Sequence, residues 1–300
     1  MSRGLVRESV RALRHGGPSV LLELLSRTYY TYGKRTDADD VFERDWDVLV
    51  VLDACRSDLM AAVADDYDWL THEDDVDSAG ATSSEWLTET FGRLPTDALA
   101  DVGYVTGNPY SDDYVDHDGF AFVDEVWRYG WDDDLGTVPA RPITDRAIAA
   151  GRERDAERLV VHYMQPHFPS VPRGDGDGVS LEQFGDVSLS VWEELRFGWR
   201  DPDDVWADYV ANLRYVLEEV ALLVENLDAE RVAVTADHGN ALGERHLYGH
   251  VGGVSTPELR AVPWCVTDAR DTGSHEPASY DDGTASDGGV VSRLEALGYR

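Results

Sequence analysis

Lysine is almost missing from this 300-residue chain: of its 26 basic residues, all but Lys34 are arginine. Cysteine is nearly missing too. Cys55 and Cys265 lie far apart and outside any Cys-x-x-Cys pair. That excludes a zinc knuckle or a disulfide framework and makes a reduced protein the expectation, cytoplasmic or peripheral on the inner membrane face. No apolar run approaches the roughly eighteen residues of a membrane span, and the N-terminus has no apolar core of signal-peptide type. Positive charge is scarce, because 59 acidic residues leave a net charge of −33. A surface so negative repels phosphate backbones, which argues against duplex nucleic acid as a partner.

What is present supports a folded domain. Hydrophobic residues make up 42% of the chain, enough for a full core in one large domain or a domain with an appendage. Nine tryptophans and fourteen tyrosines exclude an acidic, disordered solvating protein. Aspartate outnumbers glutamate about two to one. An acidic, lysine-poor coat stays hydrated, and concentrated salt screens its self-repulsion, so the composition predicts a salt-rich cytoplasm of the haloarchaeal kind. Basic residues gather at one place. Arg3, Arg7, Arg11 and Arg14 recur at helical spacing, with Leu5, Val6, Val10 and Leu13 between them. This reads as a packed terminal helix with a solvated face, or as a basic amphipathic helix in peripheral contact with an anionic membrane.

Along the chain, apolar runs of strand length alternate with helical patterns. Residues 1–31 predict two helices broken at Gly16-Gly17-Pro18. Strands are predicted at 47–52, 102–106, 158–164, 231–236 and 261–267. Helices are predicted at 57–64, 84–92, 143–154 and 203–226, the last with Val205, Tyr209, Leu213, Val216, Leu217, Val220 and Leu223 on one side. Residues 65–83 read as a loop of Asp and Ser, 110–138 show weak periodicity, and 170–203 look like an excursion over the active face. An acidic linker at 268–288 precedes a short helix from Val290. Such alternation predicts an α/β protein with a mostly parallel sheet covered by helices. Ligands in these sheets sit beyond the carboxyl ends of the strands, which is where Asp53, His162, His167, Asp237 and His238 fall.

The most informative stretch is Val234-Thr235-Ala236-Asp237-His238-Gly239-Asn240, followed by Tyr248-Gly249-His250. A buried strand that ends in Asp-His delivers a carboxylate and an imidazole to the sheet rim, a donor pair suited to Zn²⁺ or Mn²⁺. Gly239 is expected to let the backbone turn away at once. The plain alternative is a polar loop after a strand. Asp53 closes the apolar run Asp47–Leu52, with a helix N-cap as its structural alternative. His162 and His167 flank another strand end, where Pro166 stiffens the exit.

Three segments, in order, resemble the sulfatase branch of the alkaline phosphatase superfamily. Val48 to Asp58 is similar to its first metal-binding strand, an apolar run followed by Asp-x-x-Arg-x-Asp. His162 to Pro169 resembles its His-x-x-x-Pro-His-x-Pro segment. Thr235 to His250 resembles its Thr-x-Asp-His-Gly … Gly-Glu … Gly-His block, and Arg293 to Tyr299 is similar to a common ending of these proteins. The resemblance implies an alkaline-phosphatase-like three-layer α/β/α sandwich spanning residues 36–300, after an N-terminal helical segment at 1–35. It also implies hydrolysis of, or transfer from, a sulfate or phosphate ester. Asp53, Asp237 and His238 would hold a divalent metal (Zn²⁺, Mn²⁺ or Ca²⁺). His167 and His250 would contact the ester oxygens or help hold a second metal. Arg56 would neutralise the anion or brace the site from behind.

The chain departs from the sulfatases at the nucleophile. Neither cysteine sits in the Cys-x-Pro/Ala-x-Arg motif that is oxidised to formylglycine. The matching region reads Ser78-Ala79-Gly80-Ala81-Thr82-Ser83-Ser84-Glu85-Trp86 before a helix. A hydroxyl of Ser83 or Thr82, on a metal and at a helix N-terminus, is a workable nucleophile. A serine capping box is the structural alternative. In the implied reaction that hydroxyl attacks in line, His167 or His250 protonates the leaving oxygen, and water clears the intermediate. The expected partner is a small or glycan- or lipid-linked anionic ester, with phosphate favoured over sulfate. The alternatives are a phosphotransferase or mutase of the same superfamily, and a degenerate member that binds a sugar or lipid headgroup.

Overall fold

The computed structural model describes residues 19–32, 37–95, 97–153, 156–174 and 190–280. The arginine-rich stretch before Pro18, residues 175–189 of the expected excursion, the helix from Val290 and the Arg293–Tyr299 ending lie outside them.

The centre of the molecule is β1 (Val48–Leu52), whose five side chains are all buried. Both its edges are occupied. It pairs in parallel with β5 (Arg158–Tyr163) on one side and β6 (Ala229–Thr235) on the other. An apolar run with no polar alternation can be stable only where both sheet faces are covered, and that is its situation here. Four further strands complete a seven-stranded sheet: β2 (Thr71–Asp77), β3 (Val102–Thr106), β4 (Phe122–Glu125) and β9 (Ala261–Ala269), in the order β2-β9-β6-β1-β5-β3-β4. Only β9 runs against the others, being antiparallel to both β6 and β2. A separate hairpin joins β7 (Ala241–Leu242) and β8 (Tyr248–Gly249).

The described helices are α1 (Ser19–Tyr32), α2 (Ser57–Ala61), α3 (Ser83–Thr90), α4 (Ser111–Tyr114), α5 (Ala140–Glu153), α6 (Val191–Phe197), α7 (Pro202–Val224) and α8 (Pro257–Arg260). Adjacent residues on β5 show which face each covers. The His162 ring meets the edge of Trp86 from α3, while the Tyr163 hydroxyl bonds Thr144 from α5 at 2.9 Å. Successive strand residues point to opposite faces, so α3 and α5 lie on opposite sides of the sheet. The result is the expected three-layer α/β/α sandwich with a mostly parallel sheet. Helix α7 starts at the Asp201 cap with Pro202 in its first turn and buries all seven apolar positions of the predicted stripe.

Two strands escape the sequence pattern. The stretch read as an Asp/Ser loop contains β2, a sheet-edge strand exposed over its first five residues. With no buried face there is no apolar alternation to see, and acidic side chains blunt a free edge. The weakly periodic region contains β4, the strand at the opposite edge. Among the described residues no helix is long and apolar enough to cross a membrane.

Candidate metal centre

The carboxyl ends of β1, β5 and β6 and the N-terminus of α3 meet at one point. Asp53 follows β1 directly. Its backbone ties two segments together, with Asp53 N–H donating to Tyr163 O at 3.1 Å and Asp53 O accepting from His167 N–H at 3.0 Å. Its side chain does not cap α2, which Arg56 precedes without any side-chain cap. Instead Asp53 Oδ2 accepts from Asn108 Nδ2 at 3.2 Å, and Asn108 arrives from the loop after β3. Ala54 then takes a left-handed backbone at φ 62°, a conformation that strains a residue with a Cβ by about 1–2 kcal/mol. That turn aims the Ala54 N–H at Asp237 Oδ1, 2.9 Å away.

Asp237 and His238 follow β6. Asp237 Oδ1 accepts two backbone N–H groups, from Ala54 and from His238, each at 2.9 Å. Its second oxygen, Oδ2, is buried and makes no hydrogen bond. It lies 3.6 Å from His238 Nε2 and 3.6 Å from His162 Nε2. His238 is oriented by its other nitrogen, Nδ1, which donates to Gly239 O at 3.0 Å and so leaves the Nε2 lone pair facing inward. His238 Nε2 also lies 3.5 Å from Asp53 Oδ1. Asp53, Asp237 and His238 are fully buried, and one ligand atom from each falls within 4.8 Å of the others.

These three residues fit a divalent cation. Two buried carboxylates side by side are unstable without a neutralising charge, and a buried oxygen without a hydrogen bond is the kind of atom a metal satisfies. Donor separations of 3.5 and 3.6 Å are close to the ~3.4 Å edge of a tetrahedron whose bonds are about 2.0–2.2 Å. Burial pushes the Asp237 carboxyl up, yet the neighbouring His238 and His162 rings hold it below its ordinary value.

The structure separates the two candidate hydroxyls. Thr82 is the N-cap of α3 and accepts from Glu85 N–H at 3.3 Å. Ser83, the first helical residue, is fully buried with Oγ 3.4 Å from His238 Nε2. The capping role therefore belongs to Thr82. Glu85 does not close a box onto the cap but accepts from Ala81 N–H at 2.9 Å and Gly253 N–H at 2.5 Å.

Two more imidazoles stand beside the cluster. His167 donates Nδ1–H to Phe168 O at 2.6 Å, and His250 donates Nδ1–H to Asn240 Oδ1 at 3.0 Å. The His250 ring lies 5.1 Å from that of His167 and 5.0 Å from that of His238, centroid to centroid. Burial and the neighbouring His238 push His167 down to about 4. Burial, His238 and His167 push His250 well below its ordinary value. Both rings are therefore neutral at pH 7, with Nε2 as the acceptor.

Arg56 is also buried, and its donors are engaged by protein. It grips Asp58 with Nε and Nη2 at 2.8 and 2.7 Å, and Nη1 reaches Asn240 O at 2.9 Å and Glu244 Oε1 at 2.8 Å. Its place is behind the turn that carries Asn240. Gly239 serves packing rather than a left-handed turn: a Cβ there would sit 2.3 Å from Glu258 O and 2.9 Å from Arg56 Cγ.

Several supporting residues carry no signal in the motifs. Tyr104 bonds His162 Nδ1 at 2.9 Å, and Asn108 bonds Asp53. Asn212 on α7 donates to Pro166 O and His167 O, each at 3.0 Å, pinning the loop that carries His167. Of these, Asn108 stands at a turn visible in the sequence, Gly107-Asn108-Pro109 after β3.

No protein-family model matches the chain, and no curated protein matches it. Solved structures do. The soluble domain of lipooligosaccharide phosphoethanolamine transferase A from Neisseria meningitidis aligns with a TM-score of 0.51 at 14% identity, over 76% of this chain and 77% of that one. The integral membrane form of that transferase aligns with a TM-score of 0.51 at 14% identity over 90% of this chain, which spans 60% of its length. The C-terminal periplasmic domain of EptC from Escherichia coli, in complex with Zn, aligns with a TM-score of 0.50 at 10% identity, over 82% and 79% of the two chains. The likeness is one of fold, the alkaline-phosphatase-like fold that the sequence motifs imply.

Proposed function

We propose that this chain is a metal-dependent enzyme that cleaves phosphate esters through Ser83. One observation carries the reading: the buried Ser83 Oγ lies 3.4 Å from His238 Nε2, within the Asp53–Asp237–His238 cluster and in the first turn of α3. Asp53, Asp237 and His238 hold the cation in this reading. Two carboxylates and an imidazole suit Zn²⁺ or Mn²⁺ better than Ca²⁺, which takes six to eight oxygens. The solved neighbour in complex with Zn supports the same choice. Bound there, a divalent cation lowers the pKa of the Ser83 hydroxyl and draws charge from an ester oxygen.

The chain's own groups do the rest. Ser83 Oγ attacks phosphorus in line, forming the Oγ–P bond as the bond to the leaving oxygen breaks. The first-turn N–H groups of α3 favour the anion beside it. Because Nδ1–H of His167 and of His250 is committed to Phe168 O and Asn240 Oδ1, it is Nε2 of one of them that takes the Ser83 proton as Oγ attacks and passes it to the leaving oxygen. They suit the second step as well. Nε2 takes the proton of an attacking hydroxyl, the Oγ–P bond breaks, and that proton returns to Ser83. Arg56 braces the Asn240 turn and does not bind the anion.

Hydrolysis and transfer differ only in whether water or an alcohol clears the phosphoserine. The neighbours named as phosphoethanolamine transferases favour keeping transfer as the second reading. A hydroxyl nucleophile favours phosphate over sulfate.

Protein purified in concentrated salt is expected to carry divalent metal and to turn over an aryl phosphate faster than an aryl sulfate. Asp237→Asn should lose the metal and lower turnover roughly a thousandfold or more. If metal content and turnover both stay at wild-type levels, the site assignment is wrong. Added glycerol that captures phosphate in the product identifies transfer.

A further inference from the structure

Helix α1 is inside out. Leu21, Leu22, Leu24, Leu25, Tyr29 and Tyr32 are 57, 45, 61, 66, 58 and 85% exposed. At 100° per residue they fall within an arc of about 160°. Thr28 shares that face, and its hydroxyl is withdrawn from water by a 2.8 Å bond to Leu24 O. The side turned to the body is polar. Glu23, 7% exposed, accepts from Arg27 Nη2 at 2.6 Å and Arg196 Nη2 at 2.9 Å, while Tyr30 accepts from Arg245 Nε at 3.0 Å. The helix is therefore fastened by ion pairs and hydrogen bonds and spends its leucines outward. In a surface helix the pattern is normally reversed, and a continuous apolar face of this kind marks an interaction surface.

Charge selects the occupant. Residues 1–32 carry five arginines and two glutamates, a local charge of +3, so the rest of the chain carries −36 of the total −33. Four of those arginines, Arg3, Arg7, Arg11 and Arg14, immediately precede the helix. An apolar face that follows, in sequence, the one cationic stretch of an acidic protein complements an anionic lipid surface: leucines enter the acyl boundary and arginines meet headgroups. A second copy fits poorly, because pairing this face would bring two strongly acidic bodies together.

We infer that the outward face of α1, with the arginines before it, docks this protein on an anionic bilayer. The helix also contacts the segments on either side of His250: Tyr30 O accepts from Ser255 N–H at 3.2 Å, and Tyr30 binds Arg245 in the loop between β7 and β8. Docking does not depend on the proposed chemistry.

The test is flotation of the full chain with vesicles of phosphatidylglycerol or of phosphatidylcholine. Wild type is expected to float with the anionic vesicles, more weakly with the neutral ones, and less as salt rises. Leu21→Ser/Leu25→Ser should cut binding at least about tenfold, and Arg3→Gln/Arg7→Gln/Arg11→Gln/Arg14→Gln should remove the preference for anionic lipid. Both variants should retain wild-type turnover of a soluble aryl phosphate. Ser83→Ala should float normally, which separates this inference from the proposed activity. No flotation of wild type overturns it. So does a wild-type dimer in light scattering that Leu21→Ser/Leu25→Ser dissociates, since the face is then a self-interface. Slow thiol labelling of Leu25→Cys in the absence of vesicles overturns it too, because another part of the chain then covers the face.

Discussion

Thr82 and Ser83 carry the same functional group one residue apart, and their surroundings divide the work. Thr82 Oγ1 bonds the Glu85 amide and so starts α3, whereas Ser83 Oγ is turned into the cluster against His238. Thr82→Ala should therefore lower stability by about 1 kcal/mol, the usual loss for an N-cap, and leave kcat within a few-fold of wild type. Ser83→Ala should abolish turnover by roughly a thousandfold or more while metal content stays near wild type. Denaturant melts and steady-state kinetics on the two variants decide it, and the opposite pattern would make Thr82 the nucleophile. The histidines show the same economy. His167, His238 and His250 each spend Nδ1 on a nearby acceptor, which fixes the tautomer and presents Nε2 to the site.

At the scale of elements, the site depends on short segments that leave the sheet in fixed directions. The loop after β5 is held by Asn212 of α7, and the turn after β6 lies flat against α8 because Gly239 has no side chain. Gly239 N–H donates to Leu259 O at 2.9 Å across that contact. Gly239→Ala should force the turn away from Glu258, shift His238, and destabilise the protein by about 1–3 kcal/mol, as overpacking does. Isothermal titration with Zn²⁺ should then show at least a tenfold weaker site. Unchanged affinity would mean that the turn tolerates the methyl and that His238 is held in some other way. Edge strands β2 and β4 play no part in the cluster, and their sequences reflect that freedom.

For the whole molecule, the cluster joins stability to metal. Asp53 and Asp237 are both fully buried, and in the proposed site a bound cation would be the charge that makes the pair tolerable. Chelation should therefore lower the unfolding midpoint, and metal at a thousand times its dissociation constant should restore about 4 kcal/mol. A melt unaffected by both chelator and metal would count against Asp53 and Asp237 as ligands.

The sequence alone determined the layers, the parallel core and the positions of Asp53, Asp237, His238 and His167. Doubly buried strands must be written as apolar runs, and a polar residue that ends such a run can only be at the rim. It left the nucleophile open, because Thr82 and Ser83 share one helix start and only side-chain direction distinguishes them. Tertiary structure separated the two, turning Ser83 toward His238 and Thr82 to the helix cap, and it gave Arg56 its partners Asn240 and Glu244, 184 and 188 residues away. It also turned the leucines of α1 outward, an orientation the sequence pattern does not specify. Contacts between distant segments depend on how the chain closes on itself, and local pattern does not record that.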